Sequence, residues 1–254
     1  MLRRKIPDLF TLANLVSGCI ALRFIFEEEL SYAALFILLS AVFDFLDGLA
    51  ARTLGVNNVH GKDLDSLADV VSFGVLPGFL AMELIRMQND TLHDSMWIWG
   101  FEQADALNSL SYIAFLMPAL SAYRLAKFNH DTRQTDSFIG LATPANALFW
   151  CGLVVGIENG SLYLLANPII VVLLTVVFSL LLLSSLPMFS FKMKHPNWVG
   201  NEMRYIFLAL CTGIMVYMGI AGLTACIVLY VMLSLASSIK GNKKNAANTE
   251  TDIQ

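Results

Sequence analysis

The chain carries the stretch Asp44-Phe45-Leu46-Asp47-Gly48-Leu49-Ala50-Ala51-Arg52 and, eight residues later, Gly61-Lys62-Asp63-Leu64-Asp65-Ser66-Leu67-Ala68-Asp69. Four of these aspartates, at positions 44, 47, 65 and 69, lie at the ends of two apolar segments. One Asp in the middle of a membrane helix costs about 2.5–3.5 kcal/mol, so an unpaired quartet would cost on the order of 10 kcal/mol. Two neighbouring cations cannot neutralise four acids, so the pattern predicts a further cationic partner.

The composition around this stretch is that of a membrane protein. The chain is 57% hydrophobic and 14% charged, with a mean hydropathy of +0.65, which lies outside the usual balance of a soluble domain. Segments of about the length needed to cross the hydrocarbon recur near 9–26, 30–51, 64–86, 106–128, 141–158, 165–186, 203–219 and 222–239. We predict an all-α, polytopic transmembrane bundle of six to eight spans.

Lys and Arg residues collect in alternate loops of this segmentation, and only Arg23 and Arg86 fall on the other side. Because cationic loops stay in the cytoplasm, we expect both termini and the four aspartates to face the cytoplasm, in a protein integral to the cytoplasmic (inner) membrane. We expect the first span to be retained, since no small-residue cleavage pattern follows it.

The ends of the chain differ from its middle. Residues 1–240 offer no internal boundary and predict one domain, whereas 241–254 are polar and predict a disordered cytoplasmic tail. Met1–Phe10 mixes basic and apolar residues, which suits either an interfacial helix on the inner leaflet or simple basic flanking of the first span.

The remaining residue patterns indicate no further ligand site. Met96–Trp99 suits the outer headgroup layer. The scattered cysteines and histidines form no ligand set, and we expect no nucleic-acid partner.

Helical periodicity brings the acidic residues together. Each residue turns about 100°, so Asp44, Asp47, Gly48 and Ala51 share one face of a helix, and Asp65 and Asp69 share a face of the next. Such dense carboxylate oxygens suit Mg²⁺ or Mn²⁺, with two ions plausible, and not zinc. Small residues let backbone approach a ligand closely, and the flanking cations Arg52 and Lys62 suit phosphate. At a membrane boundary, the combination of carboxylates, small residues and cations predicts a site for a lipid-linked pyrophosphate.

Two other interpretations of the acids remain open at this point. They can be paired helix-end charges without chemistry, although the cations within the stretch are too few. They can also belong to a cation- or proton-coupled transporter, which uses intramembrane carboxylates. A transporter predicts acids near the midplane and internal repeats with interrupted helices, whereas these acids cluster at one edge of the membrane and no repeat is evident.

The spacing Asp44-x2-Asp47-Gly48-x2-Ala51-Arg52-x8-Gly61-x3-Asp65-x3-Asp69 resembles the complete signature of the CDP-alcohol phosphotransferases. That resemblance implies a helical bundle of about six core spans, often a homodimer, with the site open to the cytoplasm. It implies divalent ions on the aspartates at 44, 47 and 65, with Asp69 near or on the second ion and acting as general base. It also implies that positions 48, 51 and 52 receive the CDP moiety and its phosphates.

Segments that flank this signature indicate which alcohol accepts the phosphatidyl group. Residues 6–15, 70–77, 124–129 and 138–145 resemble the pattern of the bacterial and archaeal membrane-type phosphatidylserine synthases, with departures at Ala13 and Ala142. The implied substrates are CDP-diacylglycerol and L-serine; glycerol 3-phosphate or inositol is the alternative acceptor. Arg124 can meet the serine carboxylate or donor phosphate, or can be a basic anchor. Thr11 and Asn14 can bind donor phosphate or ribose, or serve only in helix entry and packing.

Gly74 and Gly78 have the small-xxx-small spacing of a helix-packing seam. The seam can lie at a dimer interface or within one protomer, and the sequence favours neither.

Overall fold

The computed structural model describes residues 5–55, 59–92, 109–130, 140–188, 197–198 and 201–251. Its architecture is helical, as predicted. The α-helices are α1 (Ile6–Phe26), α2 (Leu30–Leu54), α3 (Val59–Asp69), α4 (Leu76–Leu92), α5 (Leu116–His130), α6 (Thr143–Glu158), α7 (Pro168–Leu183), α8 (Glu202–Met218) and α9 (Gly222–Thr251). A π-helical segment, Val70–Val75, connects α3 to α4, and short 3-10 turns precede α5, α7 and α9.

Proline and cap residues explain several of these boundaries. Pro7, Pro144 and Pro168 lie in the first turns of α1, α6 and α7, where a missing N–H breaks no helical hydrogen bond. The side chain of Asn167 caps α7 by accepting from the N–H of Ile169 at 2.9 Å. Helix α2 ends at Leu54, and the following Gly55 has a φ of 62°, the left-handed conformation typical of the residue after a helix.

Four stretches of the described residues are long and apolar enough to cross a membrane: Ile6–Phe26, Leu30–Leu54, His60–Met87 and Glu202–Ser238. A shorter apolar helix, Pro168–Leu183, matches the predicted segment 165–186. An all-helical fold with several apolar spans is thereby confirmed. The number of six to eight spans stays a prediction.

The stretch Glu202–Ser238 is a hairpin and not one long helix. Gly219 has a φ of 60° and interrupts the chain between α8 and α9. The Cys226 thiol lies 3.8 Å from the main-chain oxygen of Cys211, and the rings of Phe207 and Tyr230 are 6.3 Å apart. These pairs run in opposite chain directions, so α8 and α9 are antiparallel and correspond to the predicted segments 203–219 and 222–239.

Both arginines that depart from the basic-loop pattern have acidic partners. Arg23 pairs with Glu27 at 2.7 Å, and Arg86 pairs with Glu83 at 3.0 Å. Each of these cations therefore has an acidic partner on its own helix or directly after it, and the orientation in the membrane stays a prediction.

The Gly74 and Gly78 seam packs inside the protomer. A Cβ built on Gly74 would lie 2.9 Å from the Cβ of Ser121, and one on Gly78 would lie 3.0 Å from Pro118 Cδ. Both glycines thus allow the π-helical segment and α4 to approach α5 and its preceding turn. Of the two alternatives left open above, the structure supports intramolecular packing.

We expect Gly74→Leu to destabilise the fold by about 1–3 kcal/mol, because the added side chain overpacks the contact with Ser121. Thermal unfolding of the detergent-solubilised protein measures this loss. Gly213→Leu is the matched control, since a Cβ on Gly213 meets no atom within 4 Å. Equal melting temperatures for the two variants would contradict the close approach.

Both ends of the described chain are helical. Ile6 to Phe10 belong to α1 without a break from the apolar span, and residues 1–4 lie outside the described residues, so a separate interfacial helix stays a prediction. Helix α9 continues to Thr251, residues 252–254 lie outside the described residues, and the disorder of 241–254 stays a prediction. The interfacial stretch Met96–Trp99 lies outside the described residues.

Candidate active site

Two helix termini bring three carboxylates together. Asp44 and Asp47 lie in the last turns of α2, and Asp65 lies in α3 after the connection between the two helices. One oxygen from each of these three groups lies within 4.8 Å of the other two. Asp47 is only 6% exposed, so water does not screen this cluster fully. The structure therefore brings three of the four predicted aspartates together.

Asp69 lies next to this cluster but outside it. It is one turn after Asp65 on α3 and is 8% exposed. Its Oδ1 accepts a hydrogen bond from Asn14 Nδ2 at 3.3 Å. The fourth aspartate therefore has a partner on α1 and is not part of the group of three oxygens that lie within 4.8 Å of one another.

Helix α1 supports the acidic groups from a third side. The hydroxyl of Thr11 donates to Asp47 Oδ2 at 2.7 Å, one turn before Asn14 on the same helix. Thr11 is 3% exposed and Asn14 is fully buried. The structure thus places both predicted residues at the site and gives them carboxylate partners, which neither local spacing nor composition indicates.

The position of α1 is fixed by hydroxyl contacts to α2. Ser40 Oγ donates to the main-chain oxygen of Asn14 at 3.0 Å, and Ser17 Oγ donates to that of Phe36 at 2.8 Å. Ser72, in the π-helical segment, is 3.5 Å from the same oxygen of Asn14. Because hydrogen bonds are directional, these contacts hold the Thr11 and Asn14 face of α1 against the two acidic helices.

The next turn of α2 leaves an open face beside the carboxylates. A Cβ built on Gly48 meets no atom within 4 Å. Ala51 is half-buried, and Arg52 is exposed and donates from Nε to the main-chain oxygen of Gly48 at 3.0 Å. The protein atoms therefore leave the space next to Gly48 open, and a ligand can occupy it.

We expect Gly48→Ala to weaken binding of the donor ligand without harming the fold. Glycine inside a helix is less stable than alanine by about 0.5–1 kcal/mol, so the variant should unfold at an equal or higher temperature. Its KM for the donor should rise because the new methyl group enters the open space. Gly213→Ala is the control for the change in helix propensity; an unchanged donor KM in Gly48→Ala would contradict the assignment.

Arg124 on α5 is a buried cation near Asp69. It is 8% exposed, its Nε has no hydrogen-bond partner, and its guanidinium interacts electrostatically with Asp69 and with Tyr230 of α9. The ion pairs found among the described residues lie elsewhere, at Arg23 and Arg86. Arg124 therefore retains hydrogen-bonding capacity at the edge of the site.

Lys62 has a partner that the sequence does not predict. Its Nζ donates to the main-chain oxygen of Asn129, in the last turn of α5, at 3.1 Å. Asn129 in turn donates from Nδ2 to Ser66 Oγ at 2.7 Å. These contacts span more than sixty positions of sequence, so no local pattern could identify Asn129 as the partner of Lys62 and Ser66, or Tyr230 as a neighbour of Arg124.

The residues of the cluster fit a hard divalent cation. Carboxylate oxygens are the ligands that Mg²⁺ and Mn²⁺ prefer, and Asp44, Asp47 and Asp65 can each offer one. The Oδ1 atom of Asp65 is buried without a hydrogen-bond partner in the structure. A buried polar atom of this kind is costly to leave unpaired, and a bound cation would satisfy it.

Comparison with known proteins agrees with this geometry. The model of the CDP-alcohol phosphatidyltransferase family matches residues 4–233. A CDP-diacylglycerol–serine O-phosphatidyltransferase of Bacillus subtilis is 30% identical over 194 residues, which cover 75% of this chain and 92% of the relative. The protein of the same name in Methanocaldococcus jannaschii is 32% identical over 82% of this chain and 83% of its own.

An archaetidylserine synthase of Methanothermobacter thermautotrophicus is also similar, at 32% identity over 56% of this chain and 54% of the relative. The family match covers the apolar helices and the carboxylate cluster together, which favours a transferase over a transporter. This chain is therefore a membrane protein that belongs to the CDP-alcohol phosphatidyltransferase family.

Proposed function

We propose that this protein transfers the phosphatidyl group of CDP-diacylglycerol to the hydroxyl of L-serine, which gives phosphatidylserine and CMP. The observation that carries the chemistry is the cluster of Asp44, Asp47 and Asp65 with Asp69 beside it. The choice of serine is supported by the names of relatives that are 30% and 32% identical over most of the chain.

We assign separate roles to the four aspartates. Those at positions 44, 47 and 65 would hold Mg²⁺ or Mn²⁺, and Asp69 would adjoin a second ion. When bound, the ions would neutralise the pyrophosphate of the donor and the charge that develops as CMP leaves. Thr11 and Asn14 hold Asp47 and Asp69 in place and can reach a donor phosphate or ribose from the same side of the site.

In the proposed reaction, Asp69 accepts the proton of the serine hydroxyl. The freed electron pair of that oxygen forms a bond to the phosphorus that carries diacylglycerol, and the bond from this phosphorus to the CMP oxygen breaks. CMP takes the electron pair of the broken bond. Asn14 orients the carboxylate of Asp69 through its hydrogen bond, so that one oxygen stays available for the proton.

The cations and small residues complete the proposed substrate contacts. Gly48 and Ala51 leave room for the CDP moiety, and Arg52 lies one step round the same helix, where a guanidinium suits phosphate. Arg124 would pair with the carboxylate of serine, since its Nε is unpartnered and its charge lies near Asp69. Its alternative role is a contact to the donor phosphate.

The membrane placement follows from the same proposal. We propose that the carboxylate end of the bundle faces the cytoplasm, where serine is dissolved, and that the protein resides in the cytoplasmic membrane as a homodimer. Cysteine accessibility to an impermeant reagent in sealed vesicles tests the orientation. Chemical cross-linking in the membrane tests the second copy.

The function is tested by giving the purified full-length protein CDP-diacylglycerol, Mg²⁺ or Mn²⁺, and one acceptor at a time. We expect CMP release with L-serine and little with glycerol 3-phosphate or inositol. Release with either alternative acceptor but not with serine would overturn the choice of acceptor while leaving the family chemistry intact. Arg124→Ala should raise the KM for serine and leave the KM for CDP-diacylglycerol unchanged, whereas a phosphate contact predicts the opposite pattern.

A further inference from the structure

Two hydrogen bonds tie α3 to the last turn of α5. Asn129 Nδ2 donates to Ser66 Oγ at 2.7 Å, and Lys62 Nζ donates to the main-chain oxygen of Asn129 at 3.1 Å. Ser66 Oγ also donates to the main-chain oxygen of Lys62 at 3.0 Å. The serine hydroxyl therefore accepts a hydrogen bond from α5 and donates one within its own helix, α3.

The two tied helices carry the groups that act together in the proposed reaction. Helix α3 carries Asp65 and Asp69, and α5 carries Arg124. Lys62 and Ser66 are four residues apart and so share a face of α3, rotated about 100° from the face that Asp65 and Asp69 share. The contact to Asn129 thus fixes the rotation of α3 about its axis while leaving the aspartate face free.

Apolar packing contributes little on this side of α3. Lys62 and Asp63 are exposed, and Leu67 is 67% exposed. Apolar contacts are non-directional, whereas hydrogen bonds require a defined distance and angle. The hydroxyl and amide contacts therefore orient the body of α3 relative to α5, whereas Gly74, in the π-helical segment that follows α3, packs against Ser121.

We propose that Asn129 is a positioning residue, which acts through Ser66 and Lys62 to hold Asp69 at its working distance from Arg124. The inference rests on the proposed function, because it concerns the same site. It gives Lys62 a role in positioning α3, in place of the phosphate contact that the sequence predicts. Asn129 itself need not touch the substrate.

The first test measures turnover in variants of the linked pair. Asn129→Ala and Ser66→Ala should each lower kcat by about ten- to a hundredfold, since small displacements of catalytic groups have effects of that size. The KM for CDP-diacylglycerol should stay unchanged. The double variant should be no slower than either single variant, because both remove one shared contact. Ser66→Thr keeps the hydroxyl and should recover most of the lost kcat.

A second measurement does not depend on the acceptor. Hydrogen exchange of the full-length protein should show faster exchange in residues 59–69 of both alanine variants, with the remaining helices unchanged. Asn167→Ala is the matched control: it removes an amide that caps α7 away from α3, and it should alter neither α3 exchange nor kcat.

The outcomes separate this inference from the proposed function. If the wild-type protein turns over serine and Asn129→Ala keeps the wild-type kcat, the positioning role is overturned and the proposed function stands. Strictly additive losses in the double variant would also overturn it, since additivity means that the two side chains act independently. Lack of serine turnover by the wild-type protein would overturn the proposed acceptor, while faster exchange in α3 would still support the link between the helices.

Discussion

Asp69→Asn will lower turnover by about 10²–10⁴-fold, the range that a positioned general base contributes. The physical reason is that an amide cannot accept the proton of the acceptor hydroxyl. Asparagine has nearly the same volume as aspartate, and its side-chain oxygen can still accept from Asn14 Nδ2, so the fold around position 69 should persist. The KM or Kd for CDP-diacylglycerol should therefore stay measurable.

The comparison variant for this prediction is Asp63→Asn. Asp63 lies on the same helix but is exposed and outside the carboxylate cluster, so its loss should not alter CMP release. The rate of CMP release under saturating CDP-diacylglycerol and serine is the measurement. Full activity in Asp69→Asn would remove the general-base assignment.

Asp44→Asn and Asp65→Asn will each lower CMP release by about 10²–10³-fold at limiting metal, because removal of a ligand forfeits several kcal/mol of charge stabilisation. Unlike Asp69→Asn, these variants should recover part of their activity as Mg²⁺ or Mn²⁺ is raised. The metal dependence therefore distinguishes residues that hold the ion from the residue that takes the proton.

Direct binding of Mn²⁺ to the full-length protein, followed by electron paramagnetic resonance, checks the same prediction without turnover. We expect weaker binding in both variants and unchanged binding in Asp63→Asn. Removal of divalent ions with a chelator should stop CMP release by the wild-type protein, and added Mg²⁺ or Mn²⁺ should restore it. Wild-type Mn²⁺ affinity in Asp44→Asn would contradict the ligand assignment.

The carboxylate cluster was predictable from sequence because its geometry is local. Helical periodicity alone places Asp44 with Asp47 and Asp65 with Asp69, and the short connection between α2 and α3 brings Asp65 to the first pair. The break at Gly219 was predictable for a similar reason, since Gly219 and Gly222 mark it in the sequence.

The contacts from distant helices were not predictable in the same way. Thr11 meets Asp47 and Asn14 meets Asp69 only because hydroxyl contacts fix how α1 packs on α2. The Gly74 seam was visible in sequence, but its partner Ser121 lies on another helix. Such pairings depend on the register between helices, which a single sequence does not encode in any local pattern.

The fate of the serine hydroxyl oxygen tests most directly whether that oxygen attacks the phosphorus of CDP-diacylglycerol. The purified protein is given CDP-diacylglycerol, Mg²⁺ or Mn²⁺, and L-serine that carries oxygen-18 in its hydroxyl, and mass spectrometry identifies both products. We predict that phosphatidylserine retains the label and that CMP carries none, because the serine oxygen attacks phosphorus and the CMP oxygen leaves with its own bond electrons. Phosphatidylserine without the label, or CMP release without a serine-containing lipid, would contradict the account.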